Sequence, residues 1–249
     1  MLAYITFLAL IIVIYLRRAE IPAFYARIQF SKGNIDKAVK WFSIANRLGP
    51  LKPSSQMYYG YILLRTGDIT AAEQLLTHAS LRAKKDPLKK RIKALLSLAV
   101  WKRGDLDGAI EMMEDAIYSV KVTSFYQNLG LMYNLKGDKQ KALAFNLEAF
   151  DYNSDDMVIM DNLAEAYALC GETEKAKAQY EALLKKEPHF PEPYYNFGFL
   201  LINQGQKERG IDLIRQSLDK RFTFLSVKTK EEVEKLLEEK LAEIKEEQN

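Results

Sequence analysis

The chain contains very little of the chemistry on which most metal sites and covalent catalysts depend. It has 249 residues but only one cysteine, Cys170, and two histidines, His78 and His189. A single cysteine excludes an internal disulfide framework, and the two histidines lack the spacing of metal ligands. We therefore expect no metal site and no cofactor.

Residues that interrupt helices are also sparse, with 12 glycines and 7 prolines. Hydrophobic residues make up 48% of the chain and charged residues 28%, a balance typical of a folded helical protein and not of a disordered one. The net charge of +3 is too small to indicate a nucleic-acid partner.

Motifs of the common catalytic sites are missing from the sequence. It has no G-x-S-x-G nucleophile turn, no phosphate-binding glycine loop and no H-E-x-x-H pair. Cys170 falls just before a turn glycine, where a structural thiol is the simpler interpretation. The sequence predicts a non-enzymatic protein with no catalytic residue.

Six glycines recur every 33 to 37 residues and mark an internal repeat. They are Gly33, Gly67, Gly104, Gly137, Gly171 and Gly205. Small residues stand five positions after each of them: Ala38, Ala72, Ala109, Ala142, Ala176 and Gly210. Small residues also stand seven positions before each of them: Ala26, Gly60, Ser97, Gly130, Ala164 and Gly198. Each glycine suits a left-handed helix end, and the small residues predict a seam where two helices of a hairpin approach closely.

Two further columns complete the repeat. A third small column is formed by Ala45, Ala79, Ala116, Ala149 and Ser217, with Leu183 as an exception. Bulky residues stand three positions before it, at Phe42, Leu76, Met113, Tyr180 and Ile214, with Asn146 as the exception. We expect the bulky column to fill the space between successive hairpins.

This pattern resembles the tetratricopeptide repeat (TPR) family, whose unit is a helix–turn–helix of about 34 residues. The resemblance is best at residues 194–201 (YYNFGFLL) followed by Gly205, and at 127–133 (QNLGLMY) followed by Gly137 and Ala142. The proline that commonly ends the unit is present as Pro50 and Pro188. The resemblance implies an all-α, right-handed α-solenoid of about six hairpins. The predicted units are 19–52, 53–89, 90–122, 123–156, 157–190 and 191–224.

The carboxyl-terminal segment 225–249 is predicted to form a solvating helix that closes the array. Thr229 and Glu232 have the spacing of a capping box. One helical face is apolar, with Val233, Leu237, Leu241 and Ile244, and the other is nearly all Glu and Lys. The short apolar stripe favours a cap over a coiled coil.

The amino-terminal segment 1–18 is predicted to be an apolar helix that anchors the chain in a membrane through residues 1–16. Residues 1–16 carry no charged side chain, and Arg17 and Arg18 follow them. A signal peptide would instead place its positive charge before the apolar run. A buried helix docked on the first repeat is the other interpretation. Because the basic residues all follow the segment, the positive-inside rule predicts a single-pass, N-out/C-in protein with the repeats in the cytoplasm.

The first helices of successive hairpins line a concave groove in this family, which commonly holds a peptide. Asn128, Asn162 and Asn196 recur one repeat apart there and are predicted to offer amides to a partner's backbone. The residues expected around them are Gln127, Leu131, Asp161, Glu165, Tyr195, Phe199 and Asn203. The asparagines are also part of the family pattern, so descent is an alternative explanation for them.

Some family members grip a terminal carboxylate with Lys and Arg at these groove positions. This chain has Gln127, Asp161, Glu165 and Tyr195 instead. The departure favours a polar or basic ligand with an apolar anchor near Tyr195 and Phe199.

A basic patch coincides with the longest repeat interval, where we expect a slightly longer loop. Its members are Arg82, Lys84, Lys85, Lys89, Lys90, Arg91 and Lys93. Anionic lipid or an acidic partner would suit it, although a solvated surface is the simpler interpretation.

The sequence thus predicts a membrane-anchored scaffold or adaptor that binds a protein or peptide in its concave groove. The alternative is a structural, self-associating array that organises a membrane complex through its outer face.

Overall fold

The computed structural model describes residues 2–247, and this part of the chain contains fourteen α-helices and no strand. The predicted all-α class with TPR-type hairpins is confirmed. The chain divides into two compact units, Met1–Ala99 and Val100–Asn249. Met1 and residues 248–249 were included in the predicted terminal segments and lie outside the described residues.

Helices α1 to α6 begin in the first unit, and α6 runs across the boundary into the second. They are α1 Leu2–Arg17, α2 Glu20–Ser31, α3 Ile35–Leu48, α4 Pro53–Thr66, α5 Ile69–Arg82 and α6 Asp86–Lys102. Within this unit α2 packs against α3 and α4 against α5, so each pair forms an antiparallel hairpin joined by a short turn.

The remaining helices lie in the second unit. They are α7 Leu106–Ser119, α8 Thr123–Lys136, α9 Lys139–Tyr152, α10 Met157–Leu169, α11 Thr173–Leu184, α12 Glu192–Asn203, α13 Lys207–Ser217 and α14 Lys230–Glu247. Hairpins form between α8 and α9, α10 and α11, and α12 and α13. The first helices are also neighbours, because α8 packs on α10 and α10 on α12.

The repeated glycines end the first helix of each hairpin as predicted. All six have positive φ angles, between 78° and 98°, a region that glycine enters at little cost. Three of the acidic residues that follow them cap the next helix: the side chains of Asp68, Asp105 and Asp138 each accept a hydrogen bond from a backbone N–H three residues on. At these three turns the glycine ends the first helix and the aspartate that follows it begins the second.

The predicted small and bulky columns lie in the core. Every alanine in the columns after the glycines is fully buried, as are Phe42, Leu76, Met113 and Ile214. At Gly60, a side chain would collide with Leu76, since an added Cβ would lie 2.6 Å from its Cγ. The seam therefore admits only the smallest residues where the two helices touch.

The extra residues of the longest repeat interval lengthen a helix and not a loop. Helix α6 has 17 residues, whereas the connection from α5 is only Ala83–Lys85. Asp86 begins the helix and Pro87 lies in its first turn, where the missing N–H of proline costs no hydrogen bond. The prediction of a longer loop there is wrong, and the predicted unit boundary at 89/90 falls inside α6.

Helix α14 begins with the predicted capping box. The N–H of Thr229 donates to Glu232 Oε2 at 2.7 Å, and the N–H of Glu232 donates to Thr229 Oγ1 at 3.2 Å. Val233 and Leu237 are buried in a cluster with residues of α12 and α13, and Leu241 and Ile244 pack at its edge. The apolar stripe of α14 thus covers the last hairpin.

The predicted membrane anchor is not supported. In the part of the chain from residue 2 to residue 247, no helix combines the length and apolar character required to span a bilayer. Helix α1 has 16 residues and a length of about 24 Å, against a hydrocarbon core of roughly 30 Å. The prediction of a single-pass N-out/C-in topology is therefore wrong, and membrane contact through residues 1–16 is not confirmed.

Candidate functional site

The residues predicted to line the groove are brought together on α8, α10 and α12. Gln127, Asn128 and Leu131 lie on α8; Asp161, Asn162 and Glu165 lie on α10; Tyr195, Asn196, Phe199 and Asn203 lie on α12. We call this surface the α8–α10–α12 face. Its centre is buried, with Asp161, Asn162 and Tyr195 exposed by 4%, 2% and 1%, whereas Asn203 at its edge is exposed.

The asparagine column is partly engaged within the protein. The amide of Asn162 donates to the carbonyl oxygen of Gln127 at 2.7 Å, which links α10 to α8. The side chain of Gln127 in turn donates to both carboxylate oxygens of Asp156, at 2.8 and 2.9 Å. In this conformation Asn162 joins neighbouring repeats, while Asn128 and Asn196 are only partly buried.

Two further asparagines, which sequence reasoning missed, extend this network. Asn146 is fully buried, and its amide donates to Asn134 Oδ1 at 2.9 Å and to the carbonyl of Gly130 at 3.3 Å. Asn134 donates to the carbonyl of Asn162 at 2.8 Å and to Glu165 Oε2 at 3.0 Å. The signal was available, because Asn146 is the one polar residue in the bulky column.

Three carboxyl groups converge on the face at α10 and α12. Burial, together with the charges of Glu165 and Glu192, raises the pKa of Asp161 well above its usual range. Burial also raises the pKa of Glu165 and of Glu192. We call Asp161, Glu165 and Glu192 the acidic cluster; Glu192, at the first turn of α12, was not among the predicted site residues.

Two polar atoms, one within the acidic cluster and one next to it, have no hydrogen-bond partner within the described part of the chain. They are Oδ1 of Asp161 and the hydroxyl oxygen of Tyr195. Both side chains are more than nine-tenths buried. A buried polar atom without a partner is costly, so these two atoms are the strongest local indication of an unsatisfied site.

The connection between α13 and α14 contacts the acidic cluster at Glu192. The N–H of Val227 donates to Glu192 Oε1 at 3.2 Å, and the side chain of Ser226 bonds to the same carboxyl group. Lys228 Nζ lies 5.8 Å from the centre of the Tyr195 ring, and its charge lowers the pKa of Glu165 against the larger effect of burial. Lys102, at the end of α6, donates to the carbonyl of Ser226 at 2.7 Å.

The basic patch is spread over the end of α5, the α5–α6 turn and the start of α6. Arg82, Lys84, Lys85, Lys89 and Arg91 are exposed. Arg82 donates to the carbonyl of Leu51 at 3.0 Å and so ties α5 to the preceding turn. Lys84 and Lys85 line an open cleft with Lys52 and Leu81.

Cys170 occupies the carboxyl-terminal cap of α10, and its thiol donates to the carbonyl of Lys139 at 3.3 Å. Within residues 2–247, no group of three or more His, Cys, Asp or Glu side chains is arranged to hold a metal ion.

Antiparallel hairpins joined by left-handed glycines, with first helices packed side by side, define a TPR-like protein. Residues 25–79 and 60–120 match the family model of the tetratricopeptide repeat. Together these two overlapping matches cover residues 25 to 120. No curated protein matches the chain by sequence.

Solved structures show the same fold at low sequence identity. A thermophilic TPR protein of Thermus thermophilus superposes with a TM-score of 0.61 and 21% identity, over 74% of this chain and 99% of that one. A tetratricopeptide repeat protein of Parabacteroides merdae gives 0.53 and 15%, over 90% and 98%. TPR-like repeats of a kinesin light chain from Podospora anserina give 0.54 and 17%, over 68% and 93%.

Proposed function

We propose that this chain is a non-enzymatic protein-interaction scaffold that binds a protein or peptide partner on the α8–α10–α12 face. The observation that carries the proposal is the acidic cluster beside two buried polar atoms that have no partner in the described part of the chain. Groups of this kind are unfavourable for folding and are retained where a ligand satisfies them. These groups lie on α10 and α12, the first helices of two neighbouring hairpins, which pack against each other.

The remainder of the face suits a segment of polypeptide. Asn128 and Asn196 are partly accessible, and an asparagine amide both donates to and accepts from a peptide backbone. Phe199 is partly exposed beside the buried Tyr195, with the two ring centres 6.4 Å apart, and offers an apolar anchor at the α12 end. The face therefore combines backbone recognition, a group of carboxyl side chains and one apolar contact.

The proposal is tested by placing a photo-crosslinking amino acid at chosen positions of the full chain in living cells. We expect Asn128 and Asn203, on the α8–α10–α12 face, to give adducts with the same partner. The matched control is Leu147, exposed on α9, the second helix of its hairpin. Adducts that form only from Leu147 would place the interaction on the outer surface and contradict the proposal.

Self-association is a second candidate, favoured by an exposed apolar surface near the amino terminus. Tyr4 and Phe7 of α1 are exposed by 82% and 62%, and Ile21 and Phe24 of α2 by 60% and 59%. Large exposed apolar side chains commonly mark an interface where they are grouped. If two copies meet there, Phe24→Lys shifts the sedimentation coefficient toward the monomer, whereas Leu81→Lys at an exposed position of α5 leaves it unchanged. Equal behaviour of both variants would exclude this surface.

A further inference from the structure

We propose that residues 220–229, the greater part of the α13–α14 connection, act as an internal ligand of the α8–α10–α12 face, and that a partner segment with basic side chains displaces them. We call residues 220–229 the internal segment. The inference rests on the proposed function and adds to it the chemical class of the partner and the means by which access to the face is controlled.

The internal segment makes contacts of the kind that a bound peptide makes. Its backbone N–H at Val227 donates to Glu192, and its backbone carbonyl at Ser226 accepts from Lys102. Both contacts use main-chain atoms, which every peptide possesses, so a partner segment can replace them without sharing the sequence.

The charge of the segment complements the face. Besides Lys228, the internal segment contains Lys220 and Arg221 and no acidic residue. Lys228 lies near enough to Glu165 to lower the pKa of that carboxyl group. Because Asp161 is buried, Glu165 and Glu192 are partly buried, and all three are negative when ionised, the partner that competes best is one that brings positive charge to them.

The fit of the internal segment is incomplete, which is what makes its displacement favourable. With the segment in place, Asp161 Oδ1 and the Tyr195 hydroxyl still have no hydrogen-bond partner among the described residues. A lysine or arginine of a partner that reaches Asp161 gains a charge-assisted hydrogen bond that the internal segment does not make. The competing ligand therefore has an additional contact available, whose gain is set against the cost of removing its positive charge from water.

The junction at Glu20 has contacts like those at Glu192 but a much shorter connection between its helices. In the first unit, the N–H of Lys52 donates to Glu20 Oε1 at 2.7 Å, and Ser55 donates to Glu20 Oε2. That junction, like the one at Glu192, joins the start of a first helix to the residues before the next one. However, only four residues (49–52) connect α3 to α4, whereas twelve (218–229) connect α13 to α14.

Part of the additional length packs against the protein, whereas Arg221, Phe224 and Thr229 are exposed. Phe222 packs against the cluster formed by Tyr195, Ile214 and the apolar stripe of α14. Lys102 Nζ lies 5.5 Å from the centre of the Phe224 ring. Val233 and Leu237 bury α14 in the same cluster, so α14 keeps apolar contacts of its own with α12 and α13 when Phe222 leaves it.

Binding of a fluorescein-labelled peptide of residues 220–230 to the full-length protein tests the inference. The intramolecular copy acts at a high effective concentration and reduces the fraction of protein that can bind the probe. Lys228→Gln and Phe222→Ala weaken the internal copy, one by charge and one by packing. We expect each to tighten probe binding about fivefold or more, as measured by fluorescence anisotropy.

Two controls separate displacement from general effects. Lys230→Gln removes the same charge two residues away, at an exposed position, and is expected to bind as the wild type does. Asp161→Asn combined with Glu165→Gln is expected to abolish binding in the Lys228→Gln background. Thermal unfolding of every variant confirms that it is folded.

The outcomes distinguish this inference from the proposed function. Equal probe affinity for the wild type, Lys228→Gln and Phe222→Ala overturns the internal-ligand inference, even if the acidic variant loses binding and the face remains a site. Absence of binding to all variants overturns the basic-partner inference. The proposed function is then decided by the crosslinking positions alone, because that experiment makes no assumption about the partner's charge.

Discussion

Gly198 of α12 and Gly210 of α13 face each other at the point where the two helices of the last hairpin touch. A Cβ at Gly198 would lie 2.7 Å from the carbonyl oxygen of Gly210, and one at Gly210 would lie 2.6 Å from the carbonyl oxygen of Gly198. Backbone atoms cannot turn aside as a flexible side chain can. The pair therefore sets the distance between α12 and α13, and through α12 it positions Tyr195.

We predict that Gly198→Ala lowers the free energy of unfolding by about 1–3 kcal/mol, because the methyl group forces the helices apart. The steric cost must exceed the gain of about 1 kcal/mol that alanine normally brings to a helix interior, and the predicted value is the net change. Thermal or urea unfolding measures the difference. Asn203→Ala, at an exposed position of the same helix, is the control and should be nearly neutral; an equal loss in both variants would show that the close approach is not the cause.

We predict that Asn146→Ala destabilises the protein by about 1–3 kcal/mol. The substitution leaves the Asn134 amide oxygen and the Gly130 carbonyl without the donor they share, and all three groups lie in the interior of the α8–α9 hairpin. Urea unfolding checks the loss. Gln140→Ala, on the exposed surface of α9, should change the free energy of unfolding by no more than about 0.5 kcal/mol. Similar values for the two variants would mean that the buried amide network contributes nothing.

The acidic cluster makes stability depend on pH. The pKa of Asp161 in the folded protein lies above its ordinary value of 3.8, so the folded state holds the proton more tightly than the unfolded state. The stability that this proton confers is complete below the ordinary pKa and is lost as pH rises through the raised one. The groups facing Asp161 are Glu165 on the same helix, Glu192 and Tyr195 on α12, and Tyr180 on α11.

We therefore predict that Asp161→Asn raises the free energy of unfolding at pH 8 by about 1–3 kcal/mol, since it removes a buried charge. At pH 4 the wild-type carboxyl group is protonated, and the two proteins should have nearly equal stability. Chemical denaturation at both pH values measures the effect. A stabilisation of the same size at pH 4 and pH 8 would contradict the raised pKa.

We predict that Glu232→Ala frays the start of α14, because the N–H of Thr229 loses its acceptor. Loss of the capping contact costs about 1 kcal/mol and should speed amide hydrogen exchange in the first turn of α14 about fivefold. Glu232→Gln keeps an acceptor at the same position and should retain most of the protection. Equal exchange in the wild type and both variants would show that the capping box does not hold this helix end.

The hairpins could be predicted from the sequence because their determinants are local and are repeated six times. A glycine such as Gly137 ends one helix, Asp138 caps the next, and a small residue such as Ala142 marks their contact; each is readable within about ten positions. The predicted site residues on α8, α10 and α12 follow from the same register.

Other features of the protein could not be predicted from local sequence. They depend on contacts between residues that are distant in the chain, or on whether a helix is long enough to cross a bilayer. Glu192 joins the acidic cluster only because the α13–α14 connection folds back onto it, and no repeat register places Lys228 or Lys102 there. Asn146 could have been identified as the exception in a bulky column, but its partner Asn134 lies on the other helix of the hairpin. The anchor prediction was wrong because apolar composition was given more weight than the 16-residue length of α1.

The measurement that tests the central claim most directly is hydrogen–deuterium exchange of the full chain with and without an excess of the unlabelled peptide of residues 220–230. We expect the added peptide to accelerate exchange at residues 220–229 if the internal segment occupies the α8–α10–α12 face, because the Val227 amide then loses its acceptor Glu192. Exchange in α10 and α12 should be slowed or unchanged, because the peptide takes the place of the internal segment. The same peptide with its lysines and arginine replaced by glutamate should have no effect. Unchanged exchange at residues 220–229, with protection appearing only on the second helices α9, α11 or α13, would contradict the claim.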